Sequence, residues 1–152
     1  MARFRFRLDA SLQIAQQVFE SAQQEYASEL QRWQNYVQAF KNQQTCYHEA
    51  QEGQREAGRH RPEELGICQV YALEQKRKLR QCEARQREQE IILEKSRNYL
   101  LEAHREVEKY ERLKEKQATA FREAELQKEQ KILDETGQVL HWLGRKAISE
   151  LV

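Results

Sequence analysis

Four residues near the middle of the chain carry side chains that could bind a metal ion: Cys46, His48, His60 and Cys68. Two thiols and two imidazoles form a ligand set that suits zinc. The spacing between them matches no standard zinc finger, and Cys68 also falls on an apolar helical row described below. The sequence therefore favours buried thiols and solvated histidines over a metal site.

The chain has one strongly basic stretch, KRKLRQCEARQR, from Lys76 to Arg87. Such a run could dock an acidic partner, or a nucleic acid with an affinity that falls steeply as salt rises. The whole chain, however, has a net charge of +1 and a pI near 7.7, below that of dedicated DNA-binding domains. A solvated helix surface is the simpler interpretation, and we expect no nucleic-acid partner.

Signatures of catalysis and of membrane insertion are missing from the sequence. It contains no glycine-rich phosphate loop, nucleophile elbow or metalloprotease motif. No stretch of 18 residues is uniformly apolar, and the first residues lack the apolar segment of a secretory signal. Three cysteines without a C-x-x-C pair indicate reduced thiols. We therefore expect a non-enzymatic, cofactor-free cytoplasmic protein with no direct membrane insertion.

The composition predicts long polar helices, because 34% of the 152 residues are charged and only five are glycine and one is proline. Of the four glycines and prolines before residue 137, three lie in GQREAGRHRP, residues 53–62. The prediction is a single domain with a first helix over about 5–52, a turn over 53–62 and a second helix over about 63–135. Thr136 and Gly137 are expected to end that helix and to begin a tail over 136–152.

Apolar residues recur every seven positions on both predicted helices, which is typical of a coiled coil. The rows of the first helix are Leu12, Phe19, Tyr26, Trp33, Phe40, Tyr47 and Leu8, Ala15, Ala22, Glu29, Tyr36, Gln43. The rows of the second helix are Leu65, Ala72, Leu79, Gln86, Leu93, Leu100, Val107 and Cys68, Gln75, Cys82, Gln89, Ser96, Ala103, Tyr110.

A reversal at the middle of the predicted turn makes facing residue numbers sum to about 115. Trp33 then faces Cys82, so that large side chains mostly face small or polar ones. Glu29 would face Gln86, which predicts a loose middle. The predicted fold class is all-α, a long antiparallel two-stranded intramolecular coiled-coil hairpin. Its second helix overhangs beyond about Lys114, the expected partner of Met1, and a short amphipathic C-terminal tail follows.

The two terminal segments leave alternatives open. Leu140, Leu143, Ala147 and Leu151 form a stripe that would either fold back on the hairpin or dock a partner.

At the other end, FRFRL would place Arg5 opposite Tyr110 and Arg7 opposite Glu108, with Phe4 and Phe6 off the seam. Phe4 would then either cover Phe121 or contact a partner.

The chain resembles the FliJ family of the bacterial flagellar type III export apparatus. The resemblance rests on FRFRL near the amino end and on VEKYERLKEKQATAFREAELQKEQKILDE, residues 107–135. The matching residues are Phe6, Arg7, Leu8, Glu108, Lys109, Leu113, Lys114, Glu115, Lys116, Phe121, Glu129, Gln130, Lys131, Leu133, Asp134 and Glu135.

The resemblance implies a central stalk of the export ATPase ring. Members of the family insert into the hexameric FliI ring, promote its assembly and activity, contact the export gate protein FlhA and escort export chaperones. A member would work at the cytoplasmic face of the membrane at the flagellar base, and we expect a monomer when it is free. A generic coiled-coil holdase or adaptor is the alternative.

The resemblance also implies two binding surfaces. The expected ring-binding residues are Phe4, Phe6, Arg7, Glu108, Lys109, Leu113, Lys116, Phe121, Glu129 and Lys131. The expected gate-binding residues, near the hairpin tip, are Tyr36, Phe40, Tyr47 and Leu79.

Overall fold

The computed structural model describes residues 2–151, most of which belong to two long helices. Helix α1 spans Asp9–His60, a short 3-10 turn spans Pro62–Glu64, and helix α2 spans Leu65–Leu151. The chain divides into two compact units. Unit one contains the described residues up to Ile14 and from Glu106 onward, and unit two is Ala15–Arg105. The predicted all-α helical hairpin is confirmed, with no strand among residues 2–151.

The chain reverses at Pro62, later than the predicted turn over 53–62. Proline has no backbone N–H and disfavours the α conformation of the residue before it. Arg61 accordingly leaves the helix with φ −141° and ψ 65°. The amide of Arg61 still donates to the carbonyl of Ala57 at 2.8 Å, and the Glu64 amide donates to the Arg61 carbonyl at 3.0 Å. The connection between the helices is therefore only four residues long, 61–64.

Helix α1 continues through residues 53–60 because its heptad rows continue there. Ala50 and Ala57 are buried, and Gln54 between them is half-buried. A glycine inside a helix costs only about 1 kcal/mol relative to alanine, and packing of these rows offsets that cost at Gly53 and Gly58.

The first helix begins at Asp9, four residues later than predicted. The Asp9 amide donates to the Phe6 carbonyl at 3.2 Å, and the Leu12 amide donates to the Leu8 carbonyl at 2.9 Å. A carboxylate in the first turn stabilises a helix, whereas the arginines that precede it would oppose the helix dipole. Arg5 and Arg7 are exposed residues ahead of α1, so their predicted positions on the seam opposite Tyr110 and Glu108 are wrong.

Helix α2 does not end at Glu135, and residues 136–151 form no separate tail. The Thr136 hydroxyl donates to the Ile132 carbonyl at 2.8 Å, which keeps this side chain compatible with the helix. Gly137 does not adopt the left-handed conformation that commonly ends a helix. Without a proline, the helix runs on to Leu151, and every residue from Leu126 to Leu151 is exposed.

The predicted heptad rows account for the inner faces of both helices in unit two. Every row residue from Ala15 to Ala103 is buried or half-buried in the structure. Several of the most buried positions are alanine, including Ala22 at 1% exposure. Small residues in these rows let the two helix backbones approach and make room for the aromatic side chains of α1.

The register between the helices differs from the predicted total of 115 by about one heptad. In unit two, the Trp33 indole N–H donates to Glu90 at 3.4 Å, and the Phe19 ring centroid lies 5.3 Å from that of His104. In unit one, Lys114 Nζ lies 3.5 Å from Asp9. The residue numbers of each pair sum to 123. Because the rows repeat every seven residues, this shift keeps the same rows facing each other.

Polar side chains form two layers inside the seam of unit two. Gln43 Nε2 donates to the Gln75 carbonyl at 3.1 Å and to its side-chain oxygen at 2.7 Å. Gln89 Nε2 donates to the Glu29 carbonyl at 3.3 Å and also to the Glu29 carboxylate. Glu29 therefore pairs with Gln89 and not with Gln86 as predicted. Each layer thus pairs polar side chains of α1 with polar groups of α2 inside the seam, so their hydrogen-bonding groups are satisfied there.

The register can be tested by disulfide cross-linking in a chain carrying Cys46→Ser, Cys68→Ala and Cys82→Ala. Ala50 and Ala72, both buried on facing rows, should form an intramolecular disulfide when both are changed to Cys. The matched control, Ala50→Cys with Leu65→Cys, restores the total of 115 and should stay reduced. One heptad is about 10 Å along a helix, beyond the reach of a disulfide. If only the control variant formed the disulfide, seen as a mobility shift on non-reducing gels, the observed register would be contradicted.

Candidate functional site

The aromatic residues predicted to bind the ATPase ring pack within unit one. The rings of Phe4 and Phe121 lie 5.7 Å apart between centroids and are tilted by 45°. Both are half-buried, and Phe6 is buried with 8% exposure. Tilted aromatic pairs at this distance are attractive beyond the area they bury. The expectation that Phe4 covers Phe121 is met, and these rings anchor the amino-terminal segment against α2.

A shallow groove of about 380 Å³ lies beside this anchor. It is lined by Phe4, Arg5, Phe6, Asp9 and Lys114. Two of its lining residues, Asp9 and Lys114, form an ion pair, and both side chains are about half exposed. The groove thus joins an aromatic floor to charges of both signs.

The remaining predicted ring-binding residues fall into two groups. Leu113 is half-buried, as is Glu108, whose carboxylate lies 3.7 Å from Arg112. The others are exposed: Arg7, Lys109, Lys116, Glu129 and Lys131. These five side chains are accessible, whereas the aromatic residues and Leu113 support the packing of unit one.

The four residues predicted to bind the export gate do not protrude. Tyr36, Phe40, Tyr47 and Leu79 are all half-buried on the heptad rows of unit two. The Tyr47 hydroxyl accepts a hydrogen bond from Gln51 at 2.9 Å. Their bulk is accommodated by small or polar residues of the facing helix, so they contribute mainly to the seam.

A different apolar surface is exposed near the turn. Ile67, Val70, Tyr71 and Leu73, which we call the tip patch, are 74%, 69%, 56% and 66% exposed. Apolar residues concentrated on an exposed surface are typical of protein contacts. Sequence reasoning missed them because it followed the heptad rows, and these residues lie between the rows. The available signal was an apolar cluster without charge at positions that the seam does not use.

A groove of about 300 Å³ adjoins the tip patch. It shares Leu73 with the patch and is otherwise mostly polar. Its other lining residues are Tyr47, Gln51, Gln54, Gln69, Ala72 and Lys76. The groove and the patch together give this part of unit two a surface with an apolar centre and amide donors and acceptors beside it.

The basic run is partly neutralised by acids on its own helix. Arg77 donates to Glu74 at 2.6 Å, and Arg87 donates to Glu83 at 2.7 Å. The Arg77 hydrogen bond lowers the pKa of the Glu74 carboxyl below its ordinary value. These pairs are exposed and fit a solvated helix surface.

The four thiol and imidazole residues are not gathered into a site. Cys46, His48 and His60 are exposed, and Cys68 is half-buried on its row. Cys46 is therefore not a buried thiol, because it lies between the heptad rows of α1. Across residues 2–151, no three His, Cys, Asp or Glu side chains are placed to hold a metal ion together.

The comparison with protein families identifies the family of this chain. The profile of the family described as "Flagellar FliJ protein" matches residues 4–146. The chain belongs to the FliJ family. Membership makes it a component of the flagellar protein export apparatus, in a family without catalytic activity of its own. No curated protein and no solved structure gave a match.

The family match covers both surfaces described above. It includes the Phe4 to Phe121 contact of unit one and the tip patch of unit two. Within residues 2–151, no helix is both long enough and apolar enough to cross a bilayer. Among residues 2–151, the helical segment beyond the match is 147–151, at the end of α2.

The aromatic anchor of unit one can be measured with a double-mutant cycle. Phe4→Ala and Phe121→Ala should each lower the free energy of unfolding, and their coupling energy should be about 1 kcal/mol. Phe6→Ala should cost more, about 2 kcal/mol or above, because Phe6 is buried. Leu101→Ala, at an exposed position, is the control and should change stability little. Urea unfolding followed by circular dichroism gives all five values, and additive losses would argue against the contact.

Proposed function

We propose that this FliJ-family chain is the central stalk of the flagellar export ATPase ring. In this role it promotes assembly and activity of a FliI-like hexamer, links the ring to an FlhA-like export gate and escorts export chaperones. It would act at the cytoplasmic face of the membrane at the flagellar base. The observation that carries the proposal is the family match over residues 4–146, which spans nearly the whole chain.

The ring-binding surface is assigned to unit one. Its support is the contrast between a packed amino-terminal segment, held by Phe4 on Phe121, and a stretch of α2 that is exposed from Leu126 onward. A helix inserted into a ring needs an accessible surface on a stiff element, and uninterrupted α-helix provides both. ATP chemistry belongs to the ring, and the chain contributes contacts that favour the assembled, active hexamer.

The gate-binding surface is assigned to the tip patch. Ile67, Val70, Tyr71 and Leu73 are exposed, whereas the residues predicted from the family resemblance serve the seam. Interfaces are centred on apolar and aromatic side chains that lose contact with water on binding. Tyr71 is the expected anchor, because a tyrosine brings large contact area with few rotatable bonds.

Ring activation is tested by ATP hydrolysis of the cognate export ATPase with increasing amounts of this chain. Lys109→Glu combined with Lys116→Glu and Lys131→Glu should reduce the stimulation about tenfold, since three contacts of one charge sign are reversed. Three matched reversals at exposed basic residues of unit two, Lys41→Glu, Lys78→Glu and Lys95→Glu, should leave it unchanged. Absence of stimulation by the unaltered chain would refute the stalk proposal.

Gate binding is tested by calorimetry with the cytoplasmic domain of the gate protein. Tyr71→Ala with Ile67→Ser should weaken binding about tenfold or more, because buried anchors dominate interface energies. Ile91→Ser with Tyr99→Ala is the matched control, being the same changes at exposed α2 residues outside the patch. Equal losses in both variants would contradict the assignment of the gate contact to the tip patch.

The holdase alternative predicts a different pattern. Exposed apolar side chains at the tip could grip unfolded clients instead of one partner. In that case the tip variant would lose the ability to suppress aggregation of a test protein such as citrate synthase. The stalk proposal requires that ring ATPase stimulation depends on unit one residues and that such client protection is absent.

A further inference from the structure

The exposed part of α2 carries an apolar stripe that none of residues 2–151 covers. Its members are all exposed, with Leu133 at 65% and Leu140 at 64%. We call this set the C-terminal stripe: Leu126, Ile132, Leu133, Val139, Leu140, Leu143 and Leu151. Spacings of three, four and seven residues put them on one side of an uninterrupted helix about 39 Å long.

The stripe is distinct from the seam that joins α1 and α2. Continued past Phe121, the seam rows reach Lys128, Glu135 and Lys131, which are charged. The stripe instead follows a new heptad row, Leu126, Leu133, Leu140 and Ala147, flanked by Ile132, Val139 and Leu143. Its side chains therefore form a second, mainly apolar face, on which Glu129 and Thr136 are the polar members.

Charge around the stripe argues against a lipid surface as its cover. The segment 126–151 has four basic residues and four acidic ones, and so has no net charge. A helix that lies on an anionic membrane needs an excess of lysine and arginine on its polar face. We therefore expect the partner of the stripe to be another helix and not a lipid surface.

The charges along one edge of the stripe are complementary to the same edge of a second copy that runs antiparallel. In chain order this edge carries Lys128, Glu135, Lys146 and Glu150 around Val139. Two copies aligned antiparallel about Val139 have facing residue numbers that sum to about 278. Lys128 then faces Glu150 of the second copy, and Glu135 lies about three residues from Lys146, within reach of these long side chains, each pair occurring twice. The like-charged approach in this arrangement is that of Glu129 to Glu150 of the second copy at each end of the pair, away from the apolar centre.

We propose that the C-terminal stripe binds a second copy of this chain as an antiparallel helix pair centred near Val139. The interface is isologous, so one set of residues forms both halves. Leu133 and Leu143 of the two copies pack across the axis, and Val139 meets its own counterpart. In the single chain, Lys128 lies 3.6 Å from Glu125, and this partly exposed pair is exchanged at little cost. The monomer expected from the sequence is accordingly the form present at low concentration, and the dimer forms as the concentration rises.

Sedimentation velocity of the full chain from about 1 to about 200 µM tests self-association by mass action. The average mass should rise from the 18.3 kDa of one chain toward twice that value. Leu140→Lys should weaken dimerisation about 100-fold, because both copies lose a buried leucine. Leu101→Lys, the same change at an exposed α2 leucine outside the stripe, should have no effect. Unchanged helicity by circular dichroism ensures that a loss reflects the interface.

Charge reversal and cross-linking test the antiparallel geometry. Lys128→Glu and Glu150→Lys should each weaken the dimer about two- to fivefold, and the double variant should recover it. In the cysteine-substituted chain described above, Val139→Cys should cross-link two copies. Ile132→Cys should not, because the two Ile132 positions lie about 20 Å apart in this arrangement. Efficient cross-linking through Ile132→Cys would indicate a parallel dimer and overturn the proposal.

The remaining outcomes assign the stripe to another occupant. A chain that stays monomeric at every concentration but floats with phosphatidylglycerol vesicles would overturn the proposal in favour of a lipid surface. A monomer that ignores such vesicles would overturn it in favour of a different protein. Self-association that Leu140→Lys leaves intact would place the dimer interface elsewhere and would equally refute the stripe. None of these results depends on stimulation of the ring ATPase.

Discussion

Pro62 determines where the chain reverses, and the pairing of α1 with α2 in unit two depends on that point. Its missing N–H and its effect on Arg61 end α1 where no glycine does. Moving the reversal a few residues along the chain shifts the facing residues by a whole heptad. The contacts of Trp33 with Glu90 and Phe19 with His104 follow from that shift. The paired glutamines add hydrogen bonds between α1 and α2 inside the seam.

Heptad periodicity was sufficient to predict the inner faces of the helices but not their register. A repeat of seven residues predicts which rows face each other. The pattern is the same when one helix is shifted by seven residues along the other, so it does not define the register. The register is therefore set by the position of the turn. The prediction placed the turn at Gly53 and Gly58, whereas the chain reverses at Pro62. Glycine inside a helix costs about 1 kcal/mol and proline about 3, so continuous packing overrides the first but not the second. The same reasoning explains why α2 passes through Gly137.

The binding surfaces were harder to predict than the fold because apolar residues serve two purposes in this chain. Tyr36 and Phe40 fill a seam that contains many alanines and glutamines, so their size is used inside the hairpin. Ile67 and Tyr71 lie off the rows and have no such use, which leaves them exposed. Phe4 and Phe6 are a third case, because they pack from a segment without regular structure. Periodicity carries no information about such a contact. The contact was predicted only by the alternative in which Phe4 covers Phe121.

The exposed part of α2 links the two proposals made for unit one. A surface with this many uncovered leucines is expected to find an occupant whenever one is concentrated enough. A ring that surrounds the helix and a second copy that pairs with the C-terminal stripe would both need Leu126–Leu151, so one excludes the other. Ring binding would then lower the dimer population, and a surplus of chain over rings would favour the dimer. Since each equilibrium acts on the same helix, the abundance of assembled rings would determine how much of the protein remains self-paired.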